Sequence, residues 1–308
     1  MAKPRTKPSL MKILLIAGGS VGGLAIVCCG GVGWLYWSLT APTTFPDETE
    51  SYTQARNGFQ TQLVRQGPAP QSWEPVVPPA GVNELTYPSG GLELKAWVNA
   101  PMPDKQPMPA VLFLHGGFAF GADDWDQAVS FHNAGFVVMM PRVRGENGLP
   151  GSYSMFYNEV DDVIAAANVL ADLPYVNGKR IYVCGHSAGG TLALLAAMTS
   201  DRFQKAAAFS GSPDQVAFSR FQDELVPFAK MDKREFQMRS PLAFPRSFKC
   251  PVRIFYGSEE MFFAASSKKT ALKAKAGQID VEAIRVPGDH FTSVAPAINL
   301  CITFFQQQ

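Results

Sequence analysis

Ser187 stands among glycines at 185, 189 and 190 in VCGHSAGGTLALLAA, residues 183–197, where an apolar strand-like run gives way to an apolar helix-like run. Glycine costs either kind of element about 0.5–1 kcal/mol relative to alanine, so a cluster at their junction needs a local cause. The pattern G-x-S-x-G between strand and helix supplies one. A sharp turn there holds the serine in a strained backbone conformation, and side chains two residues to either side would collide with it. Gly190 then lets the helix pack close to the sheet. The turn lifts the Ser187 hydroxyl out of the sheet and leaves the N–H of Ala188 at a helix N-terminus, ready to hold a developing oxyanion. The chemistry this suits is attack on a carbonyl.

A serine hydroxyl needs a base. The chain has four histidines. His186 is the neighbour inside the turn, His132 falls on a surface helical pattern, and His115 closes an apolar run within a glycine loop, where a structural hydrogen bond is its expected job. His290, in PGDHFTS after the last apolar run, is the expected base. The acid that orients it should lie between the two in chain order. In FYGSEEMFF, Glu260 is preferred over its neighbour Glu259, with Asp214 of SGSPD a third candidate, while Asp289 reads as a turn residue. LHGGF, residues 114–118, offers Gly117 or Phe118 as the second oxyanion donor. No metal or cofactor is called for.

Parallel-sheet topology would bring these positions together. NELTYPSGGLELKAWVNA reads as a hairpin, followed by six short apolar runs: AVLFL, GFVVMM, RIYVCG, KAAAFSG, VRIFYG and DVEAIRV. Runs apolar on both faces are what a buried parallel sheet requires. Helical patterns alternate with them at about 124–134, 158–172, 188–200, 264–277 and 293–305, which predicts helices on both faces of the sheet. Ligands of such sheets bind at the carboxyl ends of the strands, where every candidate residue falls. The segment 214–249 is less regular and predicts a small helical insertion. Its phenylalanines, from Phe218 to Phe248, fit an apolar acyl pocket and plain core packing equally well.

The chain has 308 residues, 46% of them hydrophobic and 17% charged, with a net charge of +1. That balance is globular and gives no field to attract nucleic acid. The five cysteines show neither metal-ligand spacing nor a disulfide framework, and Cys184 reads as core. Lys3, Arg5, Lys7 and Lys12 precede an uncharged apolar stretch at 13–39, long enough to cross a bilayer. The reading is a basic flank at 1–12, an uncleaved transmembrane signal anchor at 13–39, a Pro-rich spacer at 40–81 and a catalytic domain at 82–308. The basic flank predicts a cytoplasmic N-terminus and an extracytoplasmic domain, with the membrane as a partner. Within the spacer, Tyr52, Ala55, Phe59 and Leu63 recur at helical spacing, as in a short docking helix.

These residues resemble an α/β-hydrolase and, within that superfamily, the catalytic domain of the prolyl oligopeptidase family, with dienelactone-hydrolase-like neighbours. The likeness runs over about residues 85–305 and is carried by LHGGF, PRVRGENG, GHSAGG, RSPLAFPRSFKCPVRIFYGSEE and GDHF. It implies an α/β-hydrolase fold and a Ser187–His290–acid triad. The family's G-x-x-D motif is matched by Gly257-Ser258-Glu259-Glu260, with glutamate at the aspartate position, which keeps the charge on a longer arm. The spacer leaves no room for the β-propeller of full-length oligopeptidases. Acetyl-xylan-esterase-like enzymes share the core without one, and HGGFAFG is similar to the HGGG loop of hormone-sensitive-lipase-like esterases, one glycine short. The expectation is a membrane-anchored serine hydrolase acting on a small ester or peptide. A non-catalytic scaffold that binds a partner is the competing class.

Overall fold

Residues 41–100 and 107–307 are described by a computed structural model, and they build one eight-stranded sheet with helices on both faces. The hairpin β1 (Val82–Ser89) and β2 (Leu92–Asn99) turns at Gly90 and Gly91, both at positive φ, as a tight reversal requires. Then follow β3 (Met108–Leu114), β4 (Val137–Pro141), β5 (Val176–His186), β6 (Phe203–Phe209), β7 (Val252–Gly257) and β8 (Val281–Val286). The spatial order is β1-β2-β4-β3-β5-β6-β7-β8. β2 runs antiparallel to β1 and β4, and all the later pairings are parallel.

Helices α2 (Ala122–Asn133) and α8 (Val294–Gln306) cover one face, against Val111 and Phe113 of β3; α3 (Glu159–Asp172), α4 (Ala188–Thr199) and α7 (Met261–Ala276) cover the other, against Ala110, Leu112 and Leu114. That alternation along β3 is the period of a strand buried on both sides. Helix α4 is buried from Ala188 to Met198 with no polar face, so it lies within the core and its first turn is held on every side. The insertion after β6 holds two short helices, α5 (Gln215–Ser219) and α6 (Lys233–Gln237), as the irregular pattern at 214–249 implied.

The segment expected as a spacer lies against the domain. Helix α1 (Tyr52–Asn57) forms at the docking spacing, with Tyr52 and Ala55 buried. The Tyr52 hydroxyl donates to the carbonyl of Met238 at 2.8 Å, and Arg56 pairs with Asp161. Further along, Thr61 and the N–H of Gln62 donate to Glu235, whose carboxylate also pairs with the fully buried Arg239. Proline limits helix and strand here, but it does not prevent docking through buried side chains. Among the described residues no helix is long and apolar enough to cross a membrane. The span expected at 13–39 lies outside them.

If α1 contributes to the stability of the whole unit, Tyr52→Ala should lower the unfolding free energy by roughly 3–5 kcal/mol, the cost of truncating a large buried aromatic. Urea denaturation of the two proteins measures it. A difference under about 1 kcal/mol would mean that this helix unfolds independently.

Candidate active site

Ser187 follows β5 directly and has φ 53° and ψ −114°, the strained turn its flanking glycines imply. The need for those glycines is geometric. A Cβ on Gly185 would lie 2.5 Å from the Gly189 carbonyl, and one on Gly189 would lie 2.2 Å from the carbonyl oxygen of Leu114. Gly190 lies against Gly211 of the neighbouring loop, where a Cβ would come within 3.0 Å of backbone. The turn is tied down by a hydrogen bond from the N–H of Ser187 to the carbonyl of Phe209, at 2.8 Å.

Strand order brings the remaining groups to this edge. His290, in the loop after β8, lies with Nε2 3.0 Å from Ser187 Oγ and Nδ1 2.6 Å from Glu260 Oε1. Glu260 follows β7 and is buried. Burial pushes its carboxyl up, but hydrogen bonds from His290, the Ser210 hydroxyl and the N–H of Gly257 outweigh that and hold it below the usual carboxylate range. The longer glutamate arm fits because it curls back over Gly257, whose N–H donates to Oε2 at 2.7 Å. A Cβ on Gly257 would stand 2.9 Å from that oxygen and 2.6 Å from the carbonyl of Gly288 in the histidine loop. Of the other acid candidates, Glu259 is exposed and Asp214 is elsewhere engaged, capping α5 and accepting from the N–H of Thr43. Asp289 accepts from the N–H groups of Phe291 and Thr292, as a turn residue does.

An ionised carboxylate accepts from Nδ1–H, so the bonding pattern leaves Nε2 as the acceptor that faces the serine hydroxyl. Among the described residues, the N–H groups of Gly117 and Ala188 find no acceptor, whereas that of Phe118 donates to Gln71 Oε1 at 2.9 Å. Of the two expected donors in that loop, Gly117 is the one left open. Its φ of 74° is a left-handed conformation that favours glycine.

Two further histidines support the site in opposite charge states. His115, below the glycine loop, bonds Glu146 through Nε2 and the Gly116 carbonyl through Nδ1. Burial lowers its pKa, but the Glu146 carboxylate more than offsets this and raises it to about 9, so the ring is an imidazolium that donates on both sides. Burial and the nearby His290 instead push His186 down to about 4. Its neutral ring donates from Nε2 to the carbonyl of His290 at 2.9 Å and anchors the loop that carries His290. Sequence reasoning missed Ser210, Gly257 as a cradle, Glu146, Gln71 and this role of His186. Glu146 in PRVRGENG, His186 in GHSAGG and Gly257 in YGSEE carried a signal as part of the family resemblance, and Ser210 and Gln71 carried none. The phenylalanines of the insertion are mostly core: Phe228, Phe236, Phe244 and Phe248 are buried.

The model of the prolyl oligopeptidase family matches residues 123–252, and that of acetyl xylan esterase matches residues 71–157. The "Uncharacterized peptidase YtmA" of Bacillus subtilis is 27% identical over 191 residues, 57% of this chain and 72% of that protein. A puromycin-hydrolyzing peptidase of Mycobacterium tuberculosis superposes with a TM-score of 0.65 at 23% identity, over 74% of this chain and 40% of that one. An esterase of Pyrobaculum calidifontis does so with a TM-score of 0.61 at 19% identity, over 74% of this chain and 85% of that one. The chain thus spans about 40% of the length of the solved peptidase.

Gly257→Ala should leave the fold intact, displace the histidine loop and lower kcat/KM for an activated ester at least about 100-fold, as misplacement of a catalytic group by about 1 Å does. Esterase assay with circular dichroism on the same sample checks it. The His115–Glu146 pair gives a pH signature. A histidine raised from about 6.5 to about 9 contributes stability that is full below about pH 6.5 and lost as pH climbs through about 9. Melting temperatures between pH 6 and 10 should therefore fall more steeply in wild type than in Glu146→Gln. Parallel curves would remove the imidazolium from the account.

Proposed function

We propose that this chain, a serine hydrolase of the α/β-hydrolase superfamily similar to the prolyl oligopeptidase family, cleaves a carboxylic ester or a peptide-type amide through Ser187, His290 and Glu260. The observation that carries the reading is the unbroken hydrogen-bonded line from Ser187 Oγ to His290 Nε2 and from His290 Nδ1 to Glu260. Ser187 Oγ attacks the carbonyl carbon while His290 Nε2 takes its proton. The N–H groups of Ala188 and Gly117 hold the oxyanion, and Glu260 balances the imidazolium. The tetrahedral adduct collapses as its bond to the leaving atom breaks and His290 returns the proton to that atom. Water, deprotonated by the same imidazole, then releases the acid and restores Ser187.

Relatives named as peptidases and as esterases both support acyl transfer, and the substrate proposed here is a small ester or peptide. The basic flank at 1–12 and the uncharged stretch at 13–39 support a tether to the membrane, with the hydrolase outside the cytoplasm.

A fluorophosphonate probe should label wild type and not Ser187→Ala, and the turnover of p-nitrophenyl acetate should fall on the order of 10⁴-fold or more in that variant. Labelling that survives the substitution, or turnover within tenfold of wild type, would overturn the assignment.

A further inference from the structure

Next to His290, aromatic rings follow one another outward to the surface. Phe263 stacks on the imidazole with centroids 5.3 Å apart, Phe262 meets Phe263 at 5.3 Å, and Phe221 of the insertion meets Phe262 at 5.5 Å. Phe291 meets the same imidazole edge-on at 5.2 Å. Phe221 is 44% exposed and Phe291 70% exposed, while Phe262 and Phe263 are half-buried. Exposed apolar residues scattered singly need no explanation, but a contiguous set around a reactive group marks a binding surface. Asp289 accepts from the N–H groups of Phe291 and Thr292 and from the Thr292 hydroxyl, hydrogen bonds made at the surface within the loop.

The imidazole that takes the Ser187 proton must deliver it to the leaving atom, which therefore sits within about 3 Å of His290 Nε2. Whatever is attached to that atom extends over Phe263 and Phe291. The carbonyl oxygen turns the other way, to Gly117 and Ala188. We infer that the preferred substrates are esters of an apolar, aryl-bearing alcohol, the alcohol portion lying on the Phe221–Phe262–Phe263–Phe291 surface. This rests on the Ser187–His290 reading above. The bonds made and broken are those of that reading, with the alcohol as leaving group and the carboxylic acid as the second product.

An isomeric pair tests it: 2-phenylethyl acetate carries its ring on the alcohol, and ethyl phenylacetate carries the same ring on the acyl group. The full chain should show kcat/KM about tenfold or more higher for 2-phenylethyl acetate, the advantage of burying one ring on an apolar surface. Phe291→Ser and Phe221→Ser, both at exposed positions, should each shrink the ratio of 2-phenylethyl acetate to ethyl acetate. Equal rates for the isomers, or a preference for ethyl phenylacetate, would overturn the inference and leave the hydrolase reading standing. So would a ratio unmoved in both variants. Absence of hydrolysis of every ester, together with no fluorophosphonate labelling, would instead remove the reading on which it rests.

Discussion

The close approach of backbone to backbone at the start of α4 is the constraint on which the rest of the site depends. Ser187 can leave β5 at φ 53° and enter a helix only if the first turn of α4 lies almost against the end of β3. That packing is possible only with hydrogen in place of side chains at 185 and 189, where added carbon would stand 2.2–2.7 Å from main-chain atoms. Local strain of this kind costs of order 1–3 kcal/mol and persists where the surroundings over-determine it. Here they do so through a helix buried on every side and through the N–H of Ser187 bonded to Phe209. The same contact sets the glycine loop after β3 beside the nucleophile: a Cβ on Gly116 would lie 3.6 Å from that of Ser187.

Charge is arranged around this turn so that each imidazole has one job. His115 is held as a cation by Glu146 and fixes the Gly116 carbonyl. In a trans peptide the next N–H points the opposite way, so this bond also sets the direction of the Gly117 donor. His186 is held neutral by burial and by its neighbour, and spends its proton on the carbonyl of His290. Glu260 is kept ionised by Ser210 and Gly257, which both donate to Oε2, and by His290 at its remaining oxygen. The His290 imidazole is thus positioned from its ring on one side and from its own backbone on the other.

Much of this was legible in the sequence, for reasons that can be named. Buried parallel strands and the helices between them differ in period and length, so all eight strands and five of the helices fall close to where their patterns place them. Ser187, His290 and Glu260 could be singled out because each follows an apolar run, and the carboxyl ends of neighbouring parallel strands meet at one edge, where the three side chains lie within hydrogen-bond distance. What stayed hidden depends on contacts between distant segments. Ser210 bonds Glu260 from 50 positions away, and Gln71 reaches Phe118 across 47, with no spacing to announce either. Of the segment 41–73, the docking of α1 was legible in the spacing of Tyr52 and Ala55. The hold of Thr61 and Gln62 on Glu235 was not, because proline suggests an extended chain and the partner lies more than 170 positions away.

The central claim is a covalent acyl group on Ser187, formed when its hydroxyl attacks the substrate carbonyl and gives its proton to His290. Acid quenching of the enzyme within its first turnovers of p-nitrophenyl acetate, followed by peptide mass mapping, reads this directly. The account predicts one acetyl group on the peptide that carries Ser187 and none on any other. Acetyl found reproducibly on a different residue, or hydrolysis that proceeds at full rate with no acylated peptide at any quench time, would contradict it.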